Sequence, residues 1–81
     1  MTTNQRNQPV HAIRYGAVRI AIWENQSENG PFLEASLERT YTDSSGNAKS
    51  AHSYSLTQLG LAALAITEAA IWMRQNAPAK A

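Results

Sequence analysis

Seven side chains carry most of the chemistry open to this chain: Arg14, Arg19, Arg39 and Lys49, with Tyr15, Trp23 and Tyr41. Guanidinium and ammonium groups follow phosphates, and flat rings offer faces on which bases stack. Single-strand recognition needs both kinds of group. On residue types alone, the simpler reading is an ordinary solvated sheet face. Other groupings are weaker. His11 and His52 are the two histidines and there is no cysteine, whereas a zinc site takes three or four ligands. Both are expected to be surface imidazoles. Glu24, Glu28, Glu34 and Glu38 offer carboxylates, and Glu34 and Glu38 share a strand face. No nucleophile or acid–base partner stands at a readable spacing from them, so solvated or salt-bridged roles are expected. Ser44-Ser45-Gly46 is turn chemistry and lacks the strand-to-helix turn of a nucleophile elbow. Asn29-Gly30 has no phosphate-loop context. The expectation is a protein without enzymatic chemistry, metal or cofactor.

The elements that would position these groups follow from periodicity. Residues 1–9, closed by Pro9, have almost nothing to bury and are expected to be a disordered tail. A single domain is expected over residues 10–75. Val10 to Tyr15 reads as a first strand, ended by a bulge or tight bend at Gly16. Ala17 to Glu24 alternates, with Val18, Ile20 and Ile22 on one face and Arg19, Ala21 and Trp23 on the other. Asn25 to Pro31 is a turn cluster. Phe32 to Tyr41 is a third strand with Leu33, Ala35 and Leu37 inward and Glu34, Ser36 and Glu38 outward. Arg39 and Tyr41 share the inward parity, unless a bulge re-aims them or the sheet outruns whatever covers it. Asp43 to Asn47 is a second turn, and Ala48 to Tyr54 a short polar strand near an edge.

Ser55 followed by Gln58 is a capping-box signature for a helix that ends before Pro78, leaving residues 76–81 as a short tail. Leu59, Ala63, Ile66, Ala70 and Met73 form one i, i+3, i+4 stripe, expected to face the core. Leu61, Leu64, Ala65 and Trp72 widen the apolar surface, and between Leu59 and Met73 only Thr67 and Glu68 are polar. So apolar a helix wants more than one partner surface, and a second copy of the chain is the expected second one, with Leu61, Leu64, Ile66, Trp72 and Met73 at the interface. Glu68 either lies at a wet edge or pairs with Arg74 or a cation of another subunit. The fold class is α+β: a four-stranded antiparallel sheet followed by one C-terminal helix, in a homodimer.

With 81 residues the chain holds one small core, for which oligomerisation is a common remedy. The net charge of +1 does not announce a nucleic-acid protein, so only the placement of the basic residues would. Glu68 interrupts the longest apolar run, so no membrane span is expected, and the N-terminus lacks the apolar core of a signal peptide. A cytoplasmic location is the default.

This order of elements resembles the single-stranded-DNA-binding domain of the eukaryotic transcriptional coactivator positive cofactor four, or p15, with its bacterial and phage relatives and the doubled Whirly version. The resemblance covers about residues 11–75. It rests on Arg14-Tyr15-Gly16, on Val18 to Ile22, on Leu33 to Asp43 followed by Gly46, and on Lys49 to Leu56 with its Ser-Leu before the helix. It implies a dimer whose sheets form grooves for unpaired nucleic acid, DNA by preference, with weak sequence specificity and a role in transcription, replication or recombination. Tyr41 falls at the family's stacking aromatic on the third strand. Lys49 and His52 fall among its basic residues on the fourth, and Arg19 at a basic place on the second. Trp23 lies close to another family aromatic. With Arg14 and Arg39 these residues form the expected nucleic-acid surface. Glu38 departs from the pattern, standing where the family has a basic residue, and Glu34 adds a second acid on that face. Two alternatives stand beside this reading: a dimeric protein-interaction module of the same fold that binds no nucleic acid, and a small hydrolase or ligand-binding protein, disfavoured because the sequence shows no constellation of reactive residues.

Overall fold

The computed structural model describes residues 8–78. The expected N-terminal tail therefore lies mostly outside the described residues, as does the end of the C-terminal one. Four strands form an antiparallel meander in the order β1-β2-β3-β4: β1 His11–Tyr15, β2 Val18–Ser27, β3 Gly30–Thr42 and β4 Ala48–Ala51. Helix α1 follows over Leu56–Asn76. The α+β class is the expected one.

Turn chemistry fixes the strand ends. Gly16, with φ of 61°, is the first of two loop residues between β1 and β2, a place that asks for a left-handed backbone. It is a tight bend and not a bulge. The turn expected over Asn25 to Pro31 shrinks to Glu28 and Asn29, since Ser27 already pairs with Gly30. The polar residues Asn25, Gln26 and Ser27 thus extend β2 because the hairpin register continues through them. Beyond β3, the Asp43 carboxylate accepts the N–H groups of Ser45 and Asn47, each at 2.9 Å, and closes the second turn. The strand expected to run to Tyr54 stops at Ala51, where the chain turns toward the helix.

The capping box forms as the sequence predicts. Ser55 Oγ accepts the Gln58 N–H at 3.2 Å, and Gln58 Oε1 accepts the Ser55 N–H at 2.9 Å. The helix it starts is long and apolar enough to cross a membrane by length and composition. The expectation that Glu68 shortens the apolar run below that length is corrected, because a single carboxylate is diluted among twenty other residues.

The rotation of α1 differs from expectation. The face against the sheet is made of alanines: Ala62, Ala65 and Ala69 are buried, and Ala65 and Ala69 pack in one cluster with Ile13, Ile20 and Ile22. Leu61, Trp72 and Met73 flank them. The stripe Leu59, Ala63, Ile66, Ala70 and Met73 lies about a quarter turn round the helix. Only Met73 packs against the core, while Leu59 is 53% and Ile66 51% exposed. The physical reason is closeness. Methyl side chains let the helix backbone settle onto a row of isoleucines, and larger residues on that face would hold it off.

The helix lies over β1 and β2 and only grazes β3. The helix-side face of the far sheet carries Leu33, Ala35, Leu37, Arg39 and Tyr41 on β3 and Lys49 and Ala51 on β4, by the continuous alternation of the register. Among the described residues, most of that surface has no second layer. Replacing fully buried Ala65 by Leu should overpack the helix–sheet contact and cost about 1–3 kcal/mol. Urea unfolding measures it, and an unchanged midpoint would mean that another helix face meets the sheet.

Candidate nucleic-acid interface

The sheet divides the expected site residues between its two faces. Arg14, Arg19 and Trp23 lie on the face away from the helix, together with Glu34, Ser36, Glu38 and Thr40. On this face the polar groups are engaged with each other. Arg19 meets Glu38 at 3.4 Å, and Ser50 Oγ donates to the other oxygen of Glu38 at 3.1 Å. Trp23 Nε1 donates to Ser36 Oγ at 3.1 Å, Asn25 donates to Glu34 at 2.6 Å, and Arg14 reaches Thr40 Oγ1 and the Gly16 carbonyl, each at 3.2 Å. Among the described residues two arginines stand against two glutamates here, so these groups offer no surplus of positive charge.

Arg39, Tyr41 and Lys49 lie on the opposite, helix-side face, where the sheet outruns α1. Tyr41 is 43% exposed. The Arg39 guanidinium carbon sits 5.4 Å from the Tyr41 ring centroid, a cation–π distance, and Lys49 is the cross-strand partner of Tyr41. Arg39 is held in place by donating from Nε to the Ser53 carbonyl at 2.7 Å and from a terminal nitrogen to Ser53 Oγ at 3.3 Å. Lys49 Nζ lies 3.9 Å from Asp43, half-exposed and loosely paired. His52 Nδ1 is 3.1 Å from the Leu37 carbonyl, and since a carbonyl only accepts, Nδ1 carries the proton. The seven expected residues are therefore not one surface. Strand alternation joins Arg39, Tyr41 and Lys49 and sets Arg14, Arg19 and Trp23 behind them.

The interface residues expected on the helix are also divided. Leu61 and Trp72 turn to the sheet: a Cβ built on Gly16 would lie 3.4 Å from Leu61, and Trp72 stacks on His11 with ring centroids 4.5 Å apart and planes 2° from parallel. His11 is thus not the expected surface imidazole. It shares the inward parity of Ile13 and Tyr15 and closes the end of the core. Leu64 and Ile66 are exposed on opposite flanks of α1. Among the described residues no group of His, Asp or Glu is placed to hold a metal ion.

Two contacts were not read from the sequence: the His11–Trp72 stack and the bond from Tyr15 to Glu68. The Tyr15 hydroxyl donates to Glu68 Oε1 at 2.5 Å, tying β1 to the middle of α1. Glu68 therefore pairs with a phenol and not with Arg74. Tyr15 shares the parity of Ile13, which is the signal that points it at the helix. Its pKa is raised above the ordinary 10.0, first by that hydrogen bond, then by desolvation and by the Glu68 charge. No protein-family model matches this chain, and no curated protein or solved structure is significantly similar to it.

A raised phenol pKa means that the folded state holds its proton more tightly than the unfolded state. The stabilisation is whole below pH 10 and is lost as pH climbs through the higher folded value. Tyr15→Phe should therefore lower stability at neutral pH but flatten the alkaline limb of the stability–pH curve relative to the parent. Thermal unfolding from pH 8 to 11.5 reads this, and parallel curves would show that the Tyr15–Glu68 bond is not formed in solution.

Proposed function

We propose that this chain is a homodimeric, non-enzymatic protein that binds single-stranded nucleic acid, DNA by preference through its resemblance to the positive cofactor four domain, with weak sequence discrimination. The observation that carries the reading is the exposed Tyr41 ring with a guanidinium over it and a lysine beside it, on a part of the sheet that the helix leaves open. A base stacked on Tyr41 gains roughly 1–3 kcal/mol, and the cations on either side can follow successive phosphates. The low net charge is compatible with this, because stacking supplies much of the affinity. The absence of cysteine suits a reducing, cytoplasmic setting.

The dimer part of the proposal rests on α1. Leu59, Leu64, Ile66 and Ile71 are each about half exposed. Full burial of such a side chain is worth about 1.5–3 kcal/mol, so each has on the order of 1 kcal/mol still to gain from a partner. A second reading, an interaction module without nucleic-acid binding, is favoured by the neutralised outer face, where Glu38 holds Arg19.

A salt series of single-strand binding separates the two. Lys49→Ala should flatten the log–log salt dependence by about 0.7 for a lost phosphate contact. Tyr41→Ala should weaken binding by roughly 1–3 kcal/mol with the slope nearly unchanged. Arg19→Ala, on the other face, should leave affinity close to the parent's. If Tyr41→Ala and Lys49→Ala both bind as the parent does, the interaction-module reading takes precedence.

A further inference from the structure

The sheet is stepped. β3 pairs with β2 from Gly30 to Arg39 but with β4 only from Arg39 to Thr42. Among the described residues its second edge is therefore open from Pro31 to Leu37. Two contacts show which backbone groups face that edge. The Thr40 N–H donates to the Ala17 carbonyl on the β2 side, and the His52 ring donates to the Leu37 carbonyl from the β4 side. Successive residues of a strand aim their N–H and C=O groups to opposite sides, so Leu33, Ala35 and Leu37 aim theirs away from β2. No described group meets the amides and carbonyls of Leu33 and Ala35 or the N–H of Leu37. Glu34, Ala35 and Ser36 are all exposed in the middle of the longest strand.

A row of unmet backbone groups is a template for another strand. On the helix side of this edge lies a groove of about 230 Å³, walled by Ile66, Ala70 and Met73 from α1 and by Ala35 and Leu37 from β3. The groove is almost wholly apolar. A strand laid against β3 turns every second side chain into it. The side chains between fall beside Glu34 and Glu38 on the outer face, where cations are favoured and further acids are repelled. The edge is also fenced. His52 takes the Leu37 carbonyl at one end, and Pro31 has no N–H at the other. The slot between them has room for about seven residues, or roughly 20 Å. A second β3 is a poor occupant. Paired about Leu33 it sets its Pro31 against Ala35 without an N–H to offer, and in the next deeper register its hairpin runs into β4. We propose that this edge takes a short extended segment of another protein, antiparallel to β3, with apolar side chains at alternate positions and basic ones between. The site lies about 20 Å along β3 from Tyr41, so it does not depend on the nucleic-acid reading.

Amide hydrogen exchange on the full chain reads the edge directly. In the free protein the Leu33, Ala35 and Leu37 amides should exchange fast, and those of Glu34 and Ser36, which face β2, slowly. The probe is an end-capped peptide of about seven residues that alternates valine or isoleucine with lysine. At saturation it should slow the first set by about tenfold or more and leave the second unchanged. In an antiparallel pair the amides of the valine and isoleucine positions face β3. Methylating those nitrogens should weaken binding by about two- to tenfold for each bond removed, whereas methylating the lysine nitrogens should leave it unchanged. Serine at the apolar positions should abolish binding, and glutamate in place of lysine should weaken it. Both sets of methylated peptides binding alike, or loss only with the lysine set, overturns the pairing. Slow exchange of Leu33, Ala35 and Leu37 without peptide means that the edge is already covered, and overturns the proposal without touching single-strand binding.

Discussion

The seating of an alanine face on three isoleucines determines most of what else the molecule presents. Ala65 and Ala69, with Ala62 buried beside them on the same helix face, bring the axis of α1 close to Ile13, Ile20 and Ile22, where a leucine face would have kept it away. Close seating limits how much sheet one helix can cover. It also leaves Leu59, Leu64 and Ile66 away from the sheet and about half exposed. The wet surface of Leu59, Ile66 and Leu64 is thus a consequence of how the small core was closed. Polar ties then hold the seating in place. The Tyr15–Glu68 bond anchors the middle of the helix, and the His11–Trp72 stack anchors the C-terminal half.

The same seating separates two kinds of sheet surface. Over β1 and β2 the helix-side face is core. Over the far half of β3 and over β4 that face is open, and residues with inward parity become surface residues. Arg39 and Tyr41 are on the inside by alternation and still reach solvent. The outer face is chemically the quieter of the two. Its Arg19, Trp23, Ser36 and Glu38 bond one another across strands and leave little free charge for a ligand. Placement therefore matters more than composition in deciding which cations are available.

Much of this was legible in the sequence. Alternation in Val18 to Ile22 and Leu33 to Leu37, glycine at the bends and the Ser55–Gln58 box were enough to give the strands, the turns and the start of the helix. The inward parity of Tyr41 was legible too. The rotation of α1 was not, because a helix apolar on nearly every side carries no moment strong enough to choose a face. Leu59, Ile66 and Met73 look like the inner stripe by hydrophobicity, yet packing selects size, and alanine wins by being small. The division of the candidate site was hidden for a related reason. Parity tells which side of a sheet a residue takes, but how far a helix covers that side depends on the crossing of two elements and not on any local pattern. The polar extension of β2 through Ser27 was masked by turn-forming residues that the hairpin register overrides.

On the proposed reading, the apolar helix and the polar cluster belong to one device. One stacked base at roughly 1–3 kcal/mol, with two or three phosphate contacts, is a weak site. A free energy near −4 kcal/mol corresponds to about millimolar affinity. Joining two such sites in one dimer makes the second contact intramolecular, and avidity can then exceed either site by about 10²–10⁴ if one strand spans both. The strand must be long enough for that span, so affinity should depend on length more steeply than on base sequence. A chain with a net charge of +1 can work this way because repetition of the site takes the place of charge density. The wet leucine and isoleucine flank of α1 is what would supply the repetition.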